Sequence, residues 1–306
     1  MLRLATRRCA ATARAPCTVA RLRGGGPRAA FPRGLCRASA RLPPRRAQSA
    51  SARAASAQGG GDDATGANEA FSSLTTVSAG TQRAIREVLG YKFMTPVQAQ
   101  TLPVCLSGGD VIAKAKTGTG KTMGFLLPSI ERVVAAGHAP GRAIHVLVLS
   151  PTRELAMQIA KECEKLVTFQ DGISVQCVIG GTNIRSEQKR MAQRPPTVLI
   201  ATPGRLQDHL NNTPQCAQLL SGIHTLVLDE CDRLVDQGFW PAISKILSSL
   251  PPPAARQTLL FSATITPTIE GLAARIATTS GMRMYDANPE EEPLTNLDHK
   301  SARSGL

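Results

Sequence analysis

The chain has 306 residues, 36 Lys plus Arg, 22 Asp plus Glu and a formal net charge of +14. Hydrophobic residues make up 42%, enough for a packed core, and no run approaches the ~18–20 apolar residues of a membrane span. Eight cysteines without a CxxC pair exclude a disulfide scaffold and argue against structural zinc, while 3% aromatics disfavour a base-stacking platform.

The charge is concentrated at one end. Residues 1–61 hold 13 Arg, no Lys and no acid, whereas residues 62–306 hold 23 basic and 22 acidic residues. The high pI therefore describes the leader, and basicity of the body is no argument for nucleic-acid binding. Arg-rich, Ser-containing and acid-free composition is the signature of an organellar transit segment, with the mitochondrial matrix favoured over the plastid and the import machinery as partner. Residues 62–69 read as a linker.

From about Phe71 the composition becomes that of a globular domain, expected over 70–287. Near-continuous apolar runs recur at Val111–Ala113, His145–Ser150, Ser174–Ile179, Thr197–Ala201, His224–Asp229 and Thr258–Ser262. Such runs suit strands buried on both faces of a parallel sheet. Between them, Arg153–Val167 places Leu155, Ile159, Cys163 and Leu166 on one helical face. Leu234–Leu250 and Pro267–Ala277 also read as helices. Alternating strands and helices predict an α/β, doubly wound, mainly parallel sheet, with ligands at the carboxyl ends of the strands.

Ala115-Lys-Thr-Gly-Thr-Gly-Lys-Thr122 comes directly after the first strand and matches GxxxxGK[ST], with Ala115 in place of the first Gly. In such a loop the backbone N–H groups of Ala115, Lys116, Thr117, Gly118, Thr119 and Gly120 curl round phosphate oxygens. Lys121 reaches the β/γ-phosphates and Thr122 holds Mg²⁺. Leu226-Val-Leu-Asp-Glu230 is an apolar strand ending in two carboxylates: Asp229 for the Mg²⁺, Glu230 for the attacking water. ATP and Mg²⁺ are therefore the expected cofactors, with Lys121, Asp229 and Glu230 as the catalytic set.

The ordered set of clusters goes beyond a generic phosphate loop and resembles the DEAD-box family of ATP-dependent RNA helicases. Gly90-Tyr-Lys-Phe-Met-Thr-Pro-Val-Gln98 looks like the family's Q motif at 90–98, with Phe71 as its upstream aromatic. Ala115–Thr122 is motif I, Pro151-Thr-Arg-Glu-Leu-Ala156 motif Ia, Gly180-Gly181 the GG doublet and Thr202-Pro-Gly-Arg205 motif Ib. Asp229-Glu-Cys-Asp232 stands for motif II, with Cys231 where the family has Ala, and Ser262-Ala-Thr264 is motif III. The match covers about Phe71 to Ala287.

This resemblance implies a RecA-like fold and assigns Gln98 to the adenine edge; Tyr91 is the candidate to stack on the base, its bland reading an ordinary half-buried tyrosine. It implies sugar-phosphate contacts from Thr152, Arg153, Gly180, Gly181, Thr202, Gly204 and Arg205, which would make RNA binding sequence-independent. Helix capping is the bland reading of Thr152 and Thr202. Asp232, Ser262 and Thr264 would couple ATP state to strand separation. The family continues into a second RecA-like lobe that supplies arginine fingers. Here residues 288–306 read as an acidic, polar tail, so that lobe is expected to be missing and hydrolysis by this chain alone to be weak. The alternative is a non-catalytic, nucleotide-dependent RNA-binding module.

Overall fold

The computed structural model describes residues 69–137, 141–278 and 281–287. The expected leader at 1–61, most of the linker and the tail at 288–306 lie outside the described residues.

The domain is a seven-stranded sheet in the order β3-β4-β2-β5-β6-β1-β7, with parallel pairing throughout. The strands are β1 (Val111–Lys114), β2 (Val146–Leu149), β3 (Val175–Val178), β4 (Val198–Ala201), β5 (Thr225–Leu228), β6 (Gln257–Ser262) and β7 (Arg283–Asp286). Helices α1 (Ala79–Ala84), α2 (Pro96–Leu106), α3 (Lys121–Ala136), α4 (Arg153–Leu166), α5 (Ile184–Gln193), α6 (Pro203–Asn212), α7 (Cys216–Leu220), α8 (Cys231–Asp236), α9 (Trp240–Leu247) and α10 (Pro267–Ile276) connect them.

Period-two alternation splits strands β1 to β6 between two cores. Val146, Val148, Val227, Leu259 and Phe261 join a cluster with Leu102, Phe125, Ile130 and Ile159. Leu147, Leu149, Leu226, Leu228 and Leu260 join the other, with Leu206, Leu234, Ile246 and Leu272. Both faces are apolar because both are covered by helices, so the strands read as continuous runs. Each fully buried Leu, Ile or Phe contributes about 1.5–3 kcal/mol. Phe125 meets Phe261 edge-to-face at 5.4 Å, which fixes α3 against β6.

Two sequence readings are corrected. The single helix expected over 234–250 is two, α8 and α9. Gly238 takes φ 73° between them and Pro241 sits in the first turn of α9, so the chain turns where the periodicity ran on. Strand β7 was not anticipated. It is short and mostly exposed, and is defined by its pairing with β1 and by a Lys114–Asp286 ion pair of 2.7 Å. Among the described residues no helix is long and apolar enough to cross a membrane.

Candidate active site

Because every strand runs the same way, the loops after β1 to β6 emerge on one edge of the sheet. Strand order then sorts them. The loops of β1, β6 and β5 carry motifs I, III and II side by side; those of β2, β4 and β3 carry motifs Ia, Ib and the GG doublet. The sequence-predicted nucleotide residues and the sequence-predicted RNA residues thus occupy adjoining halves of one edge.

In the phosphate loop, Lys116, Thr117 and Gly118 are exposed, and Gly118 and Gly120 take φ 81° and 86°. Ala115 is tolerated in place of glycine because its φ is negative and it simply prolongs β1, its N–H donating to the Ser262 carbonyl at 2.9 Å. Lys121 opens α3 and is 7% exposed, yet its ammonium has no hydrogen-bond partner. Thr122 beside it is half-buried. A buried, unpartnered cation among loop N–H groups is what a bound polyphosphate would satisfy.

Asp229 directly follows β5 and is 3% exposed. Burial pushes its carboxyl up to about 6, against the opposing pull of the Lys121 charge. Its Oδ1 accepts from the Glu230 N–H at 3.0 Å. Glu230 takes φ 46°, a left-handed conformation that costs a non-glycine residue about 1–2 kcal/mol. Its carboxylate is held by Arg233 at 3.0 Å. Sequence reasoning passed over Arg233, although it stands immediately after the Asp229–Asp232 cluster. Cys231 is fully buried and its thiol is pushed up to about 12 by burial, which makes it an inert packing residue where the family has Ala.

The structure brings Asp232, Ser262 and Thr264 together. Ser262 Oγ accepts from the Asp232 N–H at 3.1 Å. Asp232 Oδ2 accepts from the N–H groups of Ala263 and Thr264 at 3.2 and 3.1 Å and from the Thr264 hydroxyl at 3.2 Å. One carboxylate oxygen therefore ties the loop after β5 to the loop after β6.

In the Q motif, a two-residue bridge between Ala70 and Phe93 brings Phe71 beside Tyr91, with the rings stacked at 6.4 Å. Tyr91 is 41% exposed, and its hydroxyl points to Glu162 of α4. Gln98 is 4% exposed, and both its amide oxygen and its amide nitrogen bond within the protein. Its Oε1 accepts from the Thr95 N–H at 2.9 Å and caps α2, while its Nε2 donates to the Gly120 carbonyl at 2.7 Å. In this state Gln98 latches α2 to the phosphate loop. A Cβ on Gly120 would stand 2.5 Å from that Nε2, so the close approach requires glycine here.

On the other half of the edge, Thr152 caps α4, its hydroxyl accepting from the Leu155 N–H at 3.3 Å. Thr202 precedes α6 without a side-chain cap bond, and Gly204 lies in its first turn. Arg153 is exposed and its guanidinium lies over Gly180 and Gly181, where a Cβ on Gly181 would collide with it. Arg205 departs from the expected arrangement. It is 9% exposed, and its guanidinium is taken up by the Ile179 and Thr182 carbonyls and by Glu187.

A cavity of about 450 Å³ among Cys105, Gly108, Arg132 and His224 opens at the opposite edge and holds none of these motif residues. Among the described residues no three His, Cys, Asp or Glu side chains gather as a self-sufficient metal site. Thr122 and Asp229 fit a cation that phosphate oxygens and water also ligate.

Comparison with known proteins agrees with this geometry. Residues 95–272 match the family model described as DEAD/DEAH box helicase. The chain is 47% identical over 214 residues to DEAD-box ATP-dependent RNA helicase 26 of Oryza sativa subsp. japonica, spanning 70% of this chain and 39% of that protein. It is 53% identical over 187 residues to DEAD-box ATP-dependent RNA helicase 31 of Arabidopsis thaliana, spanning 60% of this chain and 26% of that one. Among solved structures, a DEAD box protein from the hyperthermophile Methanococcus jannaschii superposes with a TM-score of 0.61 at 31% identity, over 72% of this chain and 56% of the other. The match thus spans well under half the length of these curated relatives, and the family model falls within the RecA-like domain described above. With its family model covering more than half of the sequence, the chain belongs to the DEAD/DEAH box helicase family.

Proposed function

We propose that this chain binds ATP and RNA on one edge of its RecA-like sheet and hydrolyses ATP to drive local, sequence-independent strand separation. The observation that carries the reading is the buried, unpartnered Lys121 ammonium, its charge acting on the buried Asp229 carboxylate at the end of β5. A cation desolvated without a partner is unfavourable unless a ligand completes it.

In the proposed reaction Lys121 and the loop N–H groups hold the β- and γ-phosphates. Glu230 leaves Arg233, orients a water against the γ-phosphorus and takes its proton as the bond to the ADP oxygen breaks. Thr122 and Asp229 would hold Mg²⁺, which supplies neutralising charge for the phosphate oxygens. Gln98 exchanges its bond to Gly120 for the adenine edge, and the open face of Tyr91 receives the base. Thr152, Arg153, Gly180, Gly181, Thr202 and Gly204 grip the RNA backbone with hydroxyl, guanidinium and main-chain donors. Asp232, Ser262 and Thr264 carry the state of the nucleotide from one loop to the next. The family resemblance assigns the remaining positive charge to arginines of a second RecA-like lobe. The composition of residues 1–61 supports import into an organelle, the mitochondrial matrix ahead of the plastid.

The test is the ATPase rate of the chain with and without single-stranded RNA, beside duplex unwinding. Stimulation by RNA and its loss in Glu230→Gln are expected. Nucleotide-dependent RNA binding with no turnover would replace the enzyme with the non-catalytic module, and absence of ATP binding would refute both.

A further inference from the structure

The buried polar network behind the GG doublet has no place in the reaction just described. Helix α5 follows β3, an edge strand of the sheet, and its buried residues are Glu187 and Met191. Glu187 is a buried carboxylate, and three side chains meet it. Thr182 Oγ1 lies 2.5 Å from its Oε1. His209 Nε2 lies 2.9 Å and Arg205 Nε 3.2 Å from its Oε2. Gln176 donates to its main-chain carbonyl at 3.3 Å. Thr213 completes the other side of His209, Oγ1 to Nδ1 at 2.7 Å. Burial pushes the Glu187 carboxyl up, but the bonds from His209 and Thr182 and the Arg205 charge outweigh it and hold the group below the ordinary carboxylate range.

Arg205 also reaches the loop directly. Its Nε donates to the Ile179 carbonyl at 2.7 Å, and its Nη2 to the Thr182 carbonyl and, at 2.8 Å, to the Thr182 hydroxyl. The two carbonyls flank Gly180 and Gly181. The Nε and Nη2 donors of the guanidinium are thus turned to the main chain on either side of the doublet, to the Thr182 hydroxyl and to Glu187. Arg153 is the exposed guanidinium at the same loop.

We propose that Arg205, Glu187, Thr182 and His209 form a positioning device that fixes the Gly180–Gly181 turn and the start of α6 in phosphate-gripping geometry, with Arg153 as the cation that touches phosphate and Arg205 as one that does not. The inference rests on the RNA-binding reading above and deepens it. Two arginines in neighbouring motifs then do different work: one neutralises RNA charge, the other shapes the loop that meets it.

Salt dependence separates the two roles. Each phosphate contact on a single strand contributes about 0.7 to the slope of log K against log salt, whereas a positioning residue changes affinity without releasing a counterion. The experiment uses the full chain with a saturating non-hydrolysable ATP analogue and a fluorescein-labelled oligouridylate, titrated over a salt series. Arg153→Gln should flatten the slope by about 0.7. Arg205→Gln should weaken binding about tenfold with the slope unchanged. Thr182→Val, an isosteric change on an exposed loop residue, should weaken RNA binding severalfold without altering affinity for the ATP analogue, and it keeps the test open should Arg205→Gln fail to fold. A slope flattened by Arg205→Gln, or RNA binding by Thr182→Val equal to the parent, would overturn the proposal. A parent chain that ignores RNA would overturn the functional reading itself, before any variant is compared.

Discussion

Asp229→Asn should stabilise the nucleotide-free protein while disabling it. The Asp229 carboxyl is buried at the end of β5 and raised from an ordinary 3.8 to about 6. Burial dominates, and the Lys121 charge offsets only part of it. A rise of about two units corresponds to about 3 kcal/mol of unfavourable ionisation in the folded state. The sign is set by proton binding. Between pH 4 and 6 the folded protein holds a proton that the unfolded chain has released, so stability falls as pH rises through this window. The cost is fully present above about pH 6 and absent below about pH 4. Asparagine keeps the acceptor for the Glu230 N–H and removes the charge. At about pH 7.5 the variant should therefore unfold with a midpoint higher by about 6–12 °C, for a domain in which 1 kcal/mol moves the midpoint by about 2–4 °C. At about pH 4 the two proteins should melt together. Thermal unfolding followed by circular dichroism across this pH range makes the comparison, with binding of a fluorescent ATP analogue measured alongside. A variant no more stable than the parent near neutral pH, or a gain that does not shrink on acidification, would refute the assignment of Asp229 as a strained, desolvated carboxylate.

Other outcomes are set by the same geometry. Lys121→Ala should lower ATP-analogue affinity about 10–100-fold, the value of a charge-assisted bond to phosphate; retained affinity in a fluorescence titration would remove Lys121 from the site. Glu230→Gln should leave that affinity intact and cut turnover about 10²–10⁴-fold in a steady-state ATPase assay. Gly181→Ala should cost about 1–2 kcal/mol in a urea melt, because φ 85° suits glycine and the new methyl meets Arg153, and it should weaken RNA binding. Cys231 should resist iodoacetamide at about pH 8 in the folded protein and react after denaturation, as seen by peptide mass.

The sheet was legible because burial on both faces leaves an unbroken apolar signature. Val146–Leu149, Val198–Ala201 and Thr225–Leu228 are fully buried and stand where their runs predict. Strand β7 escaped because an edge strand with one neighbour need not be apolar, and Arg283 and Asp286 are charged. The break between α8 and α9 was written in Gly238 and Pro241, but a helical period spans them and outweighed the punctuation. At the site, motifs fixed which residues meet but not which way they turn. Nothing local in Thr202–Arg205 tells that the arginine points inward to Glu187, 18 positions earlier in the chain and on another helix. Nor does the Q motif alone show that Gln98 donates to the Gly120 carbonyl.

The strand order also constrains how the two halves of the edge can communicate. Parallel pairing in register sets β2, β5, β6 and β1 side by side, and both faces are packed, so the sheet resists flexing between the proposed ATP half and the proposed RNA half. What can change is side-chain bonding in the loops above it. Two bonds there are broken by the proposed chemistry: Gln98 to Gly120, and Glu230 to Arg233. Two residues beyond Glu230 stands Asp232, whose single oxygen holds three donors of the loop after β6. A nucleotide that draws Glu230 and Asp229 toward its phosphates pulls on the segment that carries Asp232. Three shared bonds then move Ala263 and Thr264 with it, whereas the sheet beneath stays fixed. On this reading the signal leaves the domain through the loop after β6, at the exposed Thr264, and is delivered to whatever packs against that edge.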